Sequence, residues 1–269
     1  MNGNRLLSPE LIARLEGAER VGVFTGAGMS AESGVPTFRG EDGIWKKFKP
    51  EELANFDAFM RNPRLVWEWY NHRKHLIAGI KPNAGHFALA AMESRHRLFS
   101  ITTQNIDNLH RKAGSGTIHE LHGNIERNYC TGCGAYYTDA QLALLGDVPK
   151  CSACRGLIRP DVVWFGEMLP VDEWDAAVRA AERADVYFSI GTSSVVYPAA
   201  SLPMLAKSAG AYVVEMNIER TDFSRHADEV LIGKSGELLP RLLEQYPRVS
   251  DIGAANLNGG PVGQPPFTS

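Results

Sequence analysis

The chain has 269 residues, 44% hydrophobic and 22% charged, and carries a formal net charge of −3 at pH 7. That is enough apolar material for one large domain, or for a large and a small one. The mild acidity leaves no electrostatic footprint for nucleic acid, and no apolar run reaches the roughly 18 residues of a membrane span, so neither is an expected partner.

The first segment, MNGNRLLSPELIARLEGAE, lacks the apolar core of a signal peptide and reads as an amphipathic helix, with Ser8 as N-cap and Pro9 at its first position. A cytoplasmic location is the expectation. RVGVFTGAGMS follows, the first of four apolar runs that each break into small and polar residues; the others are RLFSITTQNID, VYFSIGTSS and AYVVEMNIE. Each has the character of a buried parallel strand ending in a loop. Helical patterns such as AGHFALAAMES and VDEWDAAVRAAERA separate them, and this alternation implies an open α/β sheet with helices on both faces. Such sheets bind ligands beyond the carboxyl ends of their strands, so the loops are expected to form one site.

The first loop, Gly26-Ala27-Gly28-Met29-Ser30-Ala31, fits the dinucleotide fingerprint G-x-G-x-x-G/A directly after a strand. Glycine there lets the backbone approach a pyrophosphate, a tight structural turn being the alternative. No clean acidic residue ends a second strand about 20 residues on, where a dehydrogenase would hold a ribose. The chain runs instead into PTFRGEDGIW, a loop suited to closing over a ligand.

Further along, Asn62 and Pro63 read as the N-cap and first residue of a helix that ends at Gly79. At 100° per residue, Leu65, Val66, Trp69, Leu76 and Ile77 share one apolar arc, and Tyr70 and Arg73 fall inside it. A desolvated guanidinium calls for an anionic partner, either an Asp or Glu of the protein or an anion from outside. Past the second strand, Gln104, Asn105 and Asp107 in TQNIDNLH suit an amide or a ribose, with local capping as the competing use. The loop Gly191-Thr192-Ser193 and the residue Asn217 stand at the ends of the third and fourth strands.

Cys130-x-x-Cys133 and Cys151-x-x-Cys154 use all four cysteines and have the spacing of a paired zinc ribbon. Four thiolates close a tetrahedral shell, so one structural zinc ion is expected. The stretch between the pairs, GAYYTDAQLALLGDVPK, has little positive charge, which argues for scaffolding over nucleic-acid binding. Of the eight histidines, His72 and His75 lie on the polar side of their helix, and His86, His96, His110 and His226 read as helix or loop residues. His122, in HELHGN just before the first cysteine pair, is the candidate base, because its ordinary pKa suits proton transfer near neutrality. The last residues, 248–269, are rich in Gly and Pro and read as a flexible tail.

Together GAGMSAESGVPTFRG, TQNIDNLH, ELHGN, the two Cys-x-x-Cys pairs, RPDVVWFGE and IGTSSVVYPAA resemble the sirtuins, the NAD-dependent protein-lysine deacylases, in that family's order from about residue 20 to residue 235. The resemblance implies a Rossmann-like open parallel sheet with a small domain made of a zinc ribbon and a helical insertion. On that pattern residues 1–38, 82–125 and 159–247 form the NAD-binding domain, 39–81 the helical part of the small domain and 126–158 the ribbon. It also implies that Gly26, Ala27, Gly28, Phe38, Arg39, Gln104, Asn105, Asp107, Gly191, Thr192, Ser193 and Asn217 line the NAD site, with Asp107 on the nicotinamide carboxamide and Phe38 shielding the site from water. His122 is then the base. In the family mechanism the acyl oxygen displaces nicotinamide and the acyl group leaves on ADP-ribose, so NAD is a cosubstrate, consistent with the missing dehydrogenase acid.

The segment Val162 to Glu167, with Val163, Phe165 and Gly166, resembles the strand that pairs with an acylated-lysine substrate peptide. ANFDAF followed by VWEWYNHR resembles the branch that prefers succinyl-, malonyl- or glutaryl-lysine, in which a Tyr and an Arg at this spacing hold the acyl carboxylate. Tyr70 and Arg73 match that pair, and Ala54 matches a small residue that widens the pocket. The resemblance therefore implies desuccinylase and demalonylase activity with weaker deacetylation; a plain deacetylase and a mono-ADP-ribosyltransferase are the alternatives.

Overall fold

A computed structural model of the chain describes residues 7–37 and 50–246. Phe38, Arg39 and the 248–269 tail lie outside the described residues. In chain order the strands are β1 (Arg20–Thr25), β2 (Leu98–Thr103), β3 (Ile118–Glu120), β4 (Gly123–Cys130), β5 (Tyr136–Tyr137), β6 (Ile158–Val162), β7 (Val186–Ile190), β8 (Tyr212–Asn217) and β9 (Glu229–Ile232). Six of them form one sheet in the order β3-β2-β1-β7-β8-β9, and every pairing in it is parallel.

The four apolar runs of the sequence are the four central strands. β1, β7 and β8 are buried almost end to end, because helices cover both faces and leave no side for polar residues. On one face Val21 and Val23 pack with Leu11 and Leu15 of the N-terminal helix, Leu89 and Met92 of the Ala84–Glu93 helix, and Leu238 and Leu242 of the Ser235–Gln245 helix. On the other, Phe24, Tyr187 and Val213 meet Ala177 and Ala181 of the Val171–Arg183 helix and Leu202 and Ala206 of the next. The edge strands β3 and β9 escape the sequence reading because they are short and only part of each is buried.

A third core lies beside the sheet. It joins Phe59, Val66, Trp67, Trp69 and Tyr70 of the helical insertion to Ile125, Cys130, Cys151, Ile158 and Trp164 of the ribbon and its flanks. There β4 pairs antiparallel with β5 on one side and β6 on the other. The Pro63–Ala78 helix is capped as expected, Asn62 Oδ1 accepting from Leu65 N at 3.2 Å. Its buried arc, however, is rotated from the expected one. Leu65 and Leu76 are 42% and 49% exposed, while Trp67 is 2% exposed. Both leucines stand at the edge of the arc, and the larger indole takes the place between helix and ribbon, where its N–H finds a carbonyl. Among the described residues no helix is long and apolar enough to cross a membrane.

Candidate active site

The glycines of the first loop serve the meeting of two loops. Gly28 N donates to Gly191 O at 2.8 Å, and Gly26 N donates to Ile190 O at 3.0 Å. A Cβ on Gly28 would stand 2.8 Å from Gly191 Cα, and one on Gly191, whose φ is +58°, would stand 2.4 Å from Met29 N. Neither position admits a side chain, so the β1 and β7 loops interlock through bare backbone. Polar side chains complete the frame: Gln104 Nε2 donates to Thr192 Oγ1 at 2.9 Å, Asn105 Nδ2 to Gly26 O at 2.9 Å, and Asn217 Nδ2 to Thr192 O at 3.0 Å.

These loops enclose a cavity of about 720 Å³. It is lined by Gly26, Ala27, Gly28, Gln104, Asn105, Gly191, Thr192, Ser193 and Asn217 from the sheet, by His122, Val163, Phe165 and Gly166, and by Ala54, Tyr70 and Arg73 from the insertion. Residues far apart in the chain thus meet at one place. Asp107 stands just behind, in a small pocket that shares Ala27, Asn105 and Arg73 with the cavity. It is 4% exposed and accepts from Leu109 N at 2.9 Å. Burial pushes its carboxyl above the ordinary range, against the opposing pull of Ser30, Leu109, Lys112 and Arg73.

His122 is the histidine that lines the cavity among the described residues. Its Nδ1 lies 3.1 Å from the carbonyl of Gln104, an acceptor only, so the neutral ring carries its hydrogen on Nδ1 and leaves Nε2 with a lone pair. Burial lowers its pKa, partly offset by the bond to Gln104, so the neutral, proton-accepting form is favoured. The carbonyl of His122 accepts from Val163 N at 3.0 Å, which joins the base to the segment expected to hold a peptide.

That segment is not a strand beyond Val162. Val163 to Glu167 leave β6 and enter a turn in which Glu167 N donates to Trp164 O at 3.0 Å and Gly166 has φ +87°. The Glu167 carboxylate bends back to accept from Trp164 N at 2.7 Å, and the side-chain bond replaces a ladder bond. The N–H groups of Val163, Trp164 and Phe165 are all engaged within the chain, the last to Ala54 O at 3.0 Å. The carbonyl of Val163 accepts no backbone hydrogen bond among the described residues.

Also lining the cavity, Tyr70 and Arg73 are 1% and 6% exposed and stand one helical turn apart. The Arg73 guanidinium lies over the Trp69 ring, 4.9 Å from its centroid, and that ring meets Tyr70 edge-on at 4.7 Å. Burial drives the Tyr70 phenol up to about 12, with Arg73 acting in the opposite sense, and burial lowers the pKa of Arg73 against the opposing pull of Tyr70 and of the Asp107 carboxylate, which shares a small pocket with it. A neutral hydroxyl donor and a desolvated cation therefore share the pocket, an arrangement complementary to a carboxylate.

The four cysteine sulfurs lie within 4.8 Å of one another, two buried and two exposed. Cys130 Sγ and Cys154 Sγ are 3.4 Å apart, Cys133 Sγ and Cys151 Sγ 3.7 Å. Thiolates at about 2.3 Å from a tetrahedral zinc ion are separated by roughly 3.8 Å, so this all-sulfur cluster fits zinc with no position left for water.

The fold and site define a Rossmann-like protein with a nucleotide-sized cleft at its strand mouths, one neutral histidine within it and a closed thiolate cluster behind. A profile of the Sir2 family matches residues 26–198. The chain is 51% identical over 227 residues to a protein of Pyrobaculum aerophilum named NAD-dependent protein deacylase 2, an overlap of 84% of this chain and 90% of that one. Among solved structures, a mutant of a Sir2 homologue in complex with ADP-ribose superposes with TM-score 0.86 at 41% identity, covering 94% of this chain and 100% of the other. A Sir2 homologue in complex with NAD superposes with TM-score 0.83 at 43% identity, covering 88% and 93%. The chain belongs to the Sir2 family.

Two features in and beneath the site are silent in the sequence. The loop Ile218 to Asp222 after β8 walls the cavity, and its position is set by Glu215, a side chain 1% exposed that accepts from the hydroxyls of Thr221 and Ser224. His86 and His110, read as ordinary helix and loop residues, are buried with ring centroids 4.9 Å apart beneath the first loop. His86 is 3.5 Å from Ser30 Oγ and His110 is 3.0 Å from Thr25 Oγ1. No local pattern marks such packing.

Proposed function

We propose that the protein is an NAD-dependent protein-lysine deacylase that prefers lysine acyl groups ending in a carboxylate, succinyl and malonyl above acetyl. The observation that carries the preference is the placing of Tyr70 and Arg73, both buried, in the same cavity as His122. Ala54, 6% exposed, lines the same cavity with no more than a methyl group, which favours an acyl chain longer than acetyl in this reading.

In this reading Gly26, Ala27, Gly28, Phe38, Arg39, Gln104, Asn105, Asp107, Gly191, Thr192, Ser193 and Asn217 hold NAD, which supplies an electrophilic ribose carbon and is consumed. His122 accepts a proton at Nε2, held in the correct tautomer by Gln104 O. The Val163 carbonyl takes the N–H of the acylated lysine, while Phe165 and Gly166 border the peptide. Arg73 and Tyr70 bind the acyl carboxylate, and excluding water from their pocket strengthens that attraction. The zinc cluster takes no part in the chemistry.

Incubation with NAD and a panel of acylated peptides, with mass spectrometry of both products, tests this reading. The expected result is free lysine peptide, nicotinamide and an ADP-ribose ester carrying the removed acyl group, fastest for succinyl or malonyl. An acetyl peptide turned over faster than its succinyl counterpart would overturn the preference, and ADP-ribose attached to the peptide would point to transfer of the nucleotide instead.

A further inference from the structure

The Tyr70 hydroxyl accepts a hydrogen bond from the indole Nε1–H of Trp164 at 2.7 Å. An indole nitrogen donates and never accepts, so the direction of this bond is fixed. The phenol's own hydrogen must point elsewhere, and no other hydrogen-bond partner of Tyr70 lies among the described residues. A buried donor without an acceptor is costly, whereas an anionic acceptor turns the same group into a source of affinity.

Trp164 is held rigidly enough to impose that direction. Its ring lies against the Arg159 guanidinium, 3.3 Å from the ring centroid, and Phe59 packs on it at 5.3 Å. Arg159 is 1% exposed, forms a two-pronged ion pair with Glu167 and donates to Val162 O at 2.7 Å. Glu167 in turn accepts from Trp164 N. Backbone, ring face and ring edge are thus all fixed.

We propose that Trp164 is a specificity-determining positioning residue: its indole N–H holds the Tyr70 oxygen as acceptor, so that the phenol's hydrogen is presented, beside the Arg73 guanidinium, to the carboxylate of an acidic acyl group. This rests on the acidic-acyl reading above. Donation to the phenol oxygen also polarises its O–H and makes it a stronger donor. The arrangement works against acetyl-lysine as well, whose methyl end leaves the oriented hydroxyl without an acceptor, as in any site built to bond a polar group its competitor lacks.

The test is a double-mutant cycle on the full chain with Trp164→Phe and Tyr70→Phe, read as the succinyl-to-acetyl ratio of kcat/KM, with melting temperature as a folding control. Trp164→Phe removes the donor together with the pyrrole part of a buried ring, and the packing loss acts on both substrates and so largely cancels in the ratio. It is expected to lower the ratio about fivefold, mostly through KM of the succinyl peptide, and to have no further effect once Tyr70 is Phe. Effects that multiply in the double mutant, or an unchanged ratio in Trp164→Phe while Tyr70→Phe and Arg73→Met both lower it, would overturn the role of Trp164 and leave the acyl reading standing. A wild type with no succinyl preference, or an Arg73→Met variant in which both activities fall in parallel, would overturn the acyl reading and this inference with it. Should Trp164→Phe melt too low for kinetics, the indole N–H resonance of Trp164 in the Tyr70→Phe variant decides. It must move from its wild-type position if the bond exists, and an unmoved resonance overturns the inference.

Discussion

The indole nitrogen of Trp67 donates to the carbonyl of Ile158 at 3.0 Å, tying the helix that carries Tyr70 and Arg73 to the strand that leaves the zinc ribbon. Lys74 of the same helix makes a second tie, its Nζ donating to Asn128 Oδ1 at 2.7 Å on the strand that enters the ribbon. The helix that brings Tyr70 and Arg73 to the cavity therefore shares a core with Cys130 and Cys151, although no cysteine lines the cavity. Metal bound by deprotonated thiolates couples ligand binding to folding. Native protein is expected to contain one zinc ion per chain, and chelation is expected to abolish deacylation along with the ribbon fold. Metal analysis and activity before and after chelation check this; full activity without zinc would refute it.

His122→Ala is expected to reduce deacylation about a hundredfold or more, the range of a lost general base, while zinc content and melting temperature stay near wild type. Isothermal titration with NAD and single-turnover assays separate loss of chemistry from loss of binding. Because burial lowers the pKa of His122, the acid limb of kcat/KM against pH should lie below pH 6.5, the ordinary histidine value. A limb above 6.5 that vanishes in a His122 variant would contradict the burial argument.

Arg73→Met removes a charged donor from the proposed acyl-carboxylate site. The loss expected for a succinyl substrate is roughly 1.5 to 3 kcal/mol, or about ten- to a hundredfold in kcat/KM. Acetyl-lysine offers no carboxylate, so its turnover should fall little, or rise as a buried cation is removed. Tyr70→Phe deletes one hydroxyl and should give a smaller loss with the same selectivity. Parallel measurement of both substrates under one set of conditions decides the matter.

His86 has its pKa lowered to about 4 by burial, and burial with the neighbouring His86 holds His110 well below the ordinary value. Both are neutral in the folded protein where the unfolded chain binds protons. Between pH 6.5 and 4 the unfolded state holds more protons, so stability is fully present above 6.5 and declines as pH falls toward 4, with His86 alone accounting for about 3 kcal/mol. The melting temperature should drop across that window, and His86→Gln should flatten part of the slope. A slope unaltered by His86→Gln would assign the acid sensitivity to other groups.

Much of this is legible in the sequence because it is local. The central strands announce themselves as apolar runs since both of their faces are buried, the Asn62-Pro63 cap and the fingerprint glycines are short patterns, and paired Cys-x-x-Cys spacing reflects the geometry of one metal. The burial of the arginine on an apolar helix face is legible too. What tertiary structure alone decided lies in long-range pairing. Gly28 must be glycine because Gly191, brought from the end of a strand far along the chain, passes 2.8 Å from where its Cβ would be. The Trp164 indole meets the Tyr70 hydroxyl from 94 residues along the chain, His86 and His110 come together only through the packing of separate elements, and the helix turns toward Trp67 at the expense of two leucines. Period and propensity record how a segment divides itself between core and water; they carry no record of which distant atom a buried donor will find, because that is fixed only when all the cores close at once.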